Sequence, residues 1–478
     1  MQNKFSFYII LAVEILVVIL ASMGIVEREA VLVMTGLMVF YFIFSKVEDS
    51  LILFILSIPL FTALSIGNFD SMANWRILLA ALFLVWFFRK IKDKPISSVI
   101  RNIVSGLLKS RLAVFVGIFL LIGLLSLFAA TDIVAGIKKI LFLVNIFLLF
   151  PIIADIAKDE NQRLRIIKSG AAAGIISLIV GYSQLIFVFL KPLYIFWQWW
   201  AKNVISVFYG NNLSELLAKS NTWFSYYADS PPTLRIFSVF PDSHSFALFV
   251  IIGLIFFSYL LLRNKKLWFI IVLSFLALVF SGSRAVWISA AIPFLAVLYL
   301  LTFKKQKVFK QFIVMLIIFV LAFPVSSLIL SKSYLGGGDS TLAFKRAKTI
   351  ADLEELSVKS RIGIWNASFQ SILKHPIIGV GIGNYPIVLD EDISAAKKGA
   401  SAHNLYLDVA SEMGLVGLIV LLLIFWQIFK TSLGRPIFAF FILWILIYNL
   451  FDVVLLNDKV LLFFMVVLAL LYANKSDE

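Results

Sequence analysis

The chain has no cysteine in 478 residues. That single absence excludes disulfides, thiolate nucleophiles, cysteine-held zinc, iron–sulfur clusters and thioether-linked haem. Histidine is nearly as scarce, at three residues, which leaves too little imidazole for a histidine-rich metal centre. Charged side chains are only 14% of the sequence, against about 25% in an ordinary globular chain. The sequence shows neither an internal repeat nor a low-complexity tract, so a transporter assembled from repeated halves gets no support. What the chain has in abundance is hydrocarbon: 62% of its residues are hydrophobic, with 47 Phe and 11 Trp, and its mean hydropathy is +1.01. Surface of that kind faces lipid, and the expected fold class is an all-α polytopic membrane protein. A net charge of +15 would suggest nucleic acid in a soluble chain; here it reads as membrane topology, and no nucleic-acid partner is expected.

About fourteen apolar runs are long enough to be membrane helices, which need ~20 residues at 1.5 Å rise, or fewer where a helix is buried inside a bundle. They fall near 5–26, 30–45, 51–67, 72–88, 112–130, 140–157, 169–190, 244–262, 267–283, 285–302, 311–331, 404–429, 436–455 and 460–473. The second, fourth and last are short, so about 12–14 transmembrane helices are expected. The first run is too long for a signal-peptide core and has no small-residue cleavage site before Glu27-Arg28-Glu29, so it is expected to remain in place. Basic loops resist translocation. Placing the N-terminus in the cytoplasm puts Arg89-Lys90-Ile91-Lys92, Lys158 to Lys168, Arg263 to Lys266 and Lys304 to Lys310 on the inside. Both termini are then cytoplasmic, and residues 1–478 form a single integral membrane domain with two long outer segments, 191–243 and 332–402.

The second outer segment carries most of the chemistry. It opens on Gly336-Gly337-Gly338-Asp339 and then turns amphipathic, with Ile362, Trp365, Phe369, Ile372 and Leu373 at helical spacing before Pro376. Ser360 reads as the N-cap of this helix, which places Arg361 in its first turn, where the helix dipole is already positive and an anion would be welcome. A solvated surface arginine is the bland alternative. Gly379-Val380-Gly381-Ile382-Gly383-Asn384 lets backbone come close to a ligand or to another segment; it lacks the lysine of a phosphate-cradling loop, and a tight structural turn is the favoured reading. His403-Asn404 opens a helix on which Gly414 and Gly417 fall near the histidine's azimuth, as if to let another helix pack beneath it, and a histidine at the outer membrane boundary suits proton transfer at neutral pH. Ser281-Gly282-Ser283-Arg284 lies between two apolar runs, where an unpaired guanidinium is costly and calls for an anionic partner. Two arginines and a histidine on the outer leaflet are what transfer from a diphosphate-linked lipid requires. Arg235 and His244 bracket Phe240-Pro241-Asp242-Ser243 on the same outer side, and with Asn384 and Asn404 they are candidates to line the cavity. Asp390-Glu391-Asp392 reads as a solvated acidic loop rather than a metal site, and neither a metal nor a cofactor is expected.

Taken together, Ser281-Gly282-Ser283-Arg284, Arg361 followed by Trp365, His375-Pro376 leading into Gly379-Val380-Gly381, and His403-Asn404 with Glu412, Gly414 and Gly417 resemble the O-antigen ligase and polymerase superfamily over about 280–420. The resemblance implies a membrane glycosyltransferase of the GT-C type with a long periplasmic-side loop. It would act on the outer face of the bacterial cytoplasmic membrane and transfer glycan from an undecaprenyl-diphosphate-linked donor to a hydroxyl on a glycan or lipid-glycan acceptor, with inversion and without metal. By the same resemblance His403 is the catalytic base, and Arg284 and Arg361 bind the diphosphate. Ten residues separate His403 and Gly414, as in the ligases, whereas Ile288 stands where ligases tend to have leucine. The reading favours an O-antigen or polysaccharide polymerase; the alternatives are a ligase moving finished glycan onto lipid A-core or a protein, and a flippase or transporter of lipid-linked sugars. The in-span acids Glu14, Asp408, Glu412 and Asp452 are few for a polar path through the bilayer, which favours the enzyme.

Overall fold

The computed structural model describes residues 2–66, 69–92, 95–220, 223–227, 230–303, 307–332, 341–348, 356–390 and 401–473. The Gly336 to Asp339 stretch, Lys304, Glu391 and Asp392 lie outside them. The protein is an all-α polytopic membrane protein. Among the described residues seven helices are long and apolar enough to cross a membrane: Phe5–Ser22, Arg111–Ala129, Ile133–Ile156, Glu160–Leu190, Ser243–Leu261, Phe309–Ser331 and Leu405–Ser432. Ala30–Phe44, Arg284–Leu300 and Pro436–Tyr448 are shorter apolar helices. The strands are two antiparallel hairpins, Ala63–Ile66 with Phe69–Ala73 and Phe224–Tyr227 with Ser230–Leu234, each with an irregularity in register.

The chain divides into two compact units, one of Met1–Arg89, Leu148–Lys348 and Asp458–Glu478, the other of Lys90–Phe147 and Thr349–Asn457. In the first, the helix Ser243–Leu261 is buried along nearly its whole length. It packs against Glu160–Leu190 and Asp458–Ala473, with Phe249 stacked on Phe463 at 4.1 Å between ring centroids. In the second, Leu405–Ser432 packs against Arg111–Ser126 and Leu356–Lys374. The amphipathic helix Ile96–Lys109 belongs to this unit as well.

Three expectations from the sequence are corrected. The run 51–67 is not one helix: Val47–Leu56 stops short of Pro59, a 3-10 turn follows over Ile58–Leu60, and the chain then enters the first hairpin. A proline removes a helical donor and the residues after it are β-prone, whereas hydropathy registers only that they are apolar. The run 140–157 starts earlier, as part of the span Ile133–Ile156. Ser360 is not an N-cap, because the helix carrying Arg361 already runs from Leu356 to Lys374; leucine, lysine and valine ahead of the serine continue the helix without needing a cap.

Candidate active site

The sequence-derived candidates separate between the two units. Arg235, His244 and Arg284 belong to the first; Arg361, Asn384, His403 and Asn404 belong to the second.

In the first unit the segment 235–242 forms a turn held by one side chain of the Glu160–Leu190 helix. Gln184 Oε1 accepts from the Phe237 and Ser238 amides at 3.0 and 2.9 Å, and its Nε2 donates to the Ser238 carbonyl at 2.8 Å. These bonds hold Ser238 at φ 55°, a conformation that costs a non-glycine residue energy. Asp242 then caps the Ser243–Leu261 helix, accepting from the His244 and Ser245 amides at 2.8 Å each. The buried Arg235 donates from Nε to the Ser281 carbonyl at 2.9 Å, and its Nη2 stands 3.1 Å from His244 Nε2. The other imidazole nitrogen, Nδ1, is 3.0 Å from Ser283 Oγ. A guanidinium only donates, so His244 Nε2 accepts and Nδ1 carries the proton given to Ser283. Gly282 sits beneath the arginine at φ +61°, where a Cβ would meet Ser225 Oγ at 2.8 Å and Arg235 Cγ at 3.1 Å. Arg284 follows directly as the first residue of its helix. The cation at a helix N-terminus is therefore Arg284, not Arg361.

In the second unit, His403 is pinned through its neighbours. Ala402 accepts from Trp365 Nε1 at 3.0 Å, and its amide donates to Asp408 Oδ1 at 3.3 Å. The Leu405 amide donates to the Asn449 carbonyl at 2.9 Å. Asn404, not His403, is the N-cap of Leu405–Ser432, accepting from the Tyr406 and Leu407 amides at 3.0 and 3.2 Å. Held in this way, His403 takes φ 46°, in the left-handed region. Its Nδ1 is buried without a hydrogen bond and faces Asp452 Oδ1 at 3.7 Å, while the side chain as a whole remains 39% exposed against 6% for the carboxylate. Asp452 had figured in the sequence only as an in-span acid. Arg361 lies one helical turn before Trp365 on the same face of their helix. Among the described residues Arg361 has no hydrogen bond or ion pair.

The glycine loop is structural. Gly379, Gly381 and Gly383 have φ of +67°, +98° and +79°, and a Cβ at Gly379 would lie 2.4 Å from the Glu412 backbone. The amides of Val380 and Gly381 donate to the Ser411 and Glu412 carbonyls at 2.9 Å, and that of Ile382 donates to Ser126 Oγ at 3.0 Å, so these N–H groups are spent on the protein and cradle no phosphate. Asn384 belongs to the same framework, donating to the Asp132 and Ile382 carbonyls at 3.1 Å and accepting from the Asp132 amide at 2.7 Å. That makes it a brace rather than a lining residue.

Gly414 does not sit on a regular helix face. Gly414 is a kink at φ 69°, ψ −176°, against which the Ile377 carbonyl approaches, with the Leu415 amide donating to Pro376 O at 2.8 Å. A Cβ on Gly417 would strike Met413 of its own chain turn. Only an unbroken helix from His403 onward would hold both glycines near its azimuth, and the chain is kinked at Gly414.

Below the histidine segment, Lys139 donates to Glu412 Oε2 at 2.6 Å and lies 3.6 Å from Asp408 Oδ2. Glu412 Oε1 accepts from the Tyr385 amide at 3.4 Å, and Tyr385 shares a 2.6 Å hydrogen bond with Ser368. Burial pushes the Tyr385 phenol up, so it stays protonated. Lys139 was not singled out in the sequence, where a lysine inside an apolar run looks like a stray charge. The described residues hold no group of three or more metal-ligating side chains.

A family model described as O-antigen ligase matches residues 269–422, a stretch that includes Arg284, Arg361 and His403 and stops short of Asp452. No curated protein matches the chain.

Proposed function

We propose that this chain, which carries a domain of the O-antigen ligase family over residues 269–422, is a membrane glycosyltransferase that moves glycan from an undecaprenyl-diphosphate-linked donor to a hydroxyl acceptor on the outer face of the cytoplasmic membrane. The observation that carries this reading is the His403 segment: a histidine with one nitrogen turned to a buried carboxylate and the remainder of its ring accessible, inside the matched stretch. Asp452 favours the tautomer with the proton on Nδ1, which frees Nε2 to take a proton from the acceptor, and it stabilises the imidazolium that results. The acceptor oxygen attacks the anomeric carbon as its proton passes to Nε2. The bond from that carbon to the diphosphate oxygen breaks on the opposite side, with inversion, and the diphosphate leaves with the electron pair. Arg361, in the same unit as His403, is the group we assign to its charge; a guanidinium matches phosphate with a planar fork and needs no proton transfer to do so.

We read the transfer as polymerisation, repeat unit onto repeat unit. The ligase mode, finished glycan onto a lipid or protein acceptor, is the second reading, and the description of the matched family favours it. A flippase would need free polar groups along a path through the bilayer, whereas Asp408 and Glu412 are tied to Lys139. Purified protein given a defined lipid-linked donor and acceptor should release undecaprenyl diphosphate. A product ladder means polymerase and a single transfer means ligase; no release in either case defeats the enzyme reading. Activity should be unchanged in EDTA. Loss restored by magnesium or manganese would move charge stabilisation from Arg361 to a metal.

A further inference from the structure

A cavity of about 400 Å³ opens in the first unit between the helices Gln2–Ser22, Val47–Leu56 and Glu160–Leu190. Its two ends differ in chemistry. Leu11, Leu56 and Ala172 line one end, and Asp49, Arg165 and Lys168 the other. All three charged residues lie near the N-terminal ends of their helices, and Arg165, Lys168 and Ala172 fall on one face of the longest described helix. The polar end is thus the end that belongs with the basic run Lys158 to Lys168, on the side the basic loops assign to the cytoplasm.

The charges at that end do not cancel. Arg165 donates from Nη2 to Asp49 Oδ1 and from Nη1 to Gln162 Oε1, so arginine and aspartate are matched to each other. Lys168 stands one turn further along, is exposed, and has no hydrogen bond or ion pair among the described residues. One uncompensated cation therefore sits at the mouth of an apolar groove. Away from its charged end and from Tyr8 and Ser169 the lining is hydrocarbon, and in a bilayer a hydrocarbon chain is the available filling.

We infer that this groove binds an anionic glycerophospholipid of the phosphatidylglycerol type, with one acyl chain along Leu11, Leu56 and Ala172 and the phosphate at Lys168. A zwitterionic ethanolamine head would bring a second ammonium toward Lys168 and Arg165 while the carboxylate that lines the groove, Asp49, is already taken. A neutral glycerol head brings no such repulsion. The site lies within the first unit, and its occupancy does not depend on the glycan-transfer reading.

The test is native mass spectrometry of the full chain released from detergent, titrated with phosphatidylglycerol and phosphatidylethanolamine of the same acyl chains. Wild type should prefer phosphatidylglycerol by about fivefold, the factor one lysine contributes at an anionic headgroup. Lys168→Ala should erase that preference while leaving chain binding, and Ala172→Trp, which fills the apolar end, should lower binding of both lipids. Glycerophosphate without acyl chains should not compete. Equal affinity for the two lipids in wild type, or a preference that survives Lys168→Ala, would show the groove to be filled by bulk lipid and overturn the proposal. Displacement of phosphatidylglycerol by undecaprenyl phosphate at equal concentration would overturn it too, since the occupant would then be a polyprenyl lipid. Lys168 is exposed and its substitution threatens no packing, so the proposal remains testable if Ala172→Trp fails to fold.

Discussion

His244 and His403 are two histidines from similar settings, each beside the start of an apolar helix, and they are wired in opposite ways. His244 has both ring nitrogens engaged, one accepting from Arg235 and the other paired with Ser283. His403 has one nitrogen facing a carboxylate at 3.7 Å and keeps much of its ring exposed. An imidazole with both nitrogens occupied cannot pick up a proton without breaking a bond it already makes, whereas one oriented from behind and open in front can. The comparison teaches that a histidine's suitability as a base is decided by the second nitrogen.

The sharpest way to break the comparison is His403→Ala. Removing a general base typically costs about 10²–10⁴-fold in rate, and single-turnover transfer by purified protein should fall by that much while donor binding persists. Near wild-type transfer would end the assignment. Asp452→Asn probes the back of the ring. A group acting through another typically costs about 10–100-fold. Single-turnover transfer should slow by that much while donor binding persists. An unchanged rate would separate Asp452 from the reaction. Arg361→Lys keeps the charge and loses the fork; forfeiting one hydrogen bond to a charged group is worth about tenfold in kcat/KM. The smallest effect belongs to the other histidine. In His244→Gln the amide can still accept from Arg235 and donate to Ser283, so transfer should stay near wild type. His244→Ala should lower thermal stability by about 1–3 kcal/mol through the two bonds lost. A His244→Gln variant as inactive as His403→Ala would erase the distinction between the two.

The sequence made some of this legible and hid the rest for identifiable reasons. The run 244–262 became Ser243–Leu261 and 285–302 became Arg284–Phe303, because Asp242 caps the first and the Ser281-Gly282-Ser283 turn sets the start of the second. The run 51–67 failed because hydropathy treats a hairpin of apolar residues as it treats a helix. Arg361 sat on a helix as expected, but the dipole argument belonged to Arg284. The pairing of His403 with Asp452, and of Lys139 with Glu412, is tertiary: each partner lies on a different element, and no spacing rule links them. The glycine loop was read as a turn from its composition alone, and the structure adds the reason, since its amides have no capacity left.

Gln184 shows how insertion and assembly can ask opposite things of one residue. When the Glu160–Leu190 helix first enters the bilayer, its surroundings are lipid, and a carboxamide there is a liability that leucine would remove. Once the helices associate, the same carboxamide makes three bonds to the turn ahead of Ser243–Leu261 and is wholly buried. Gln184→Leu should therefore enter the membrane more readily and yield less assembled protein, a case in which a hydropathy scale ranks the variant above wild type while the cell's quality control ranks it below.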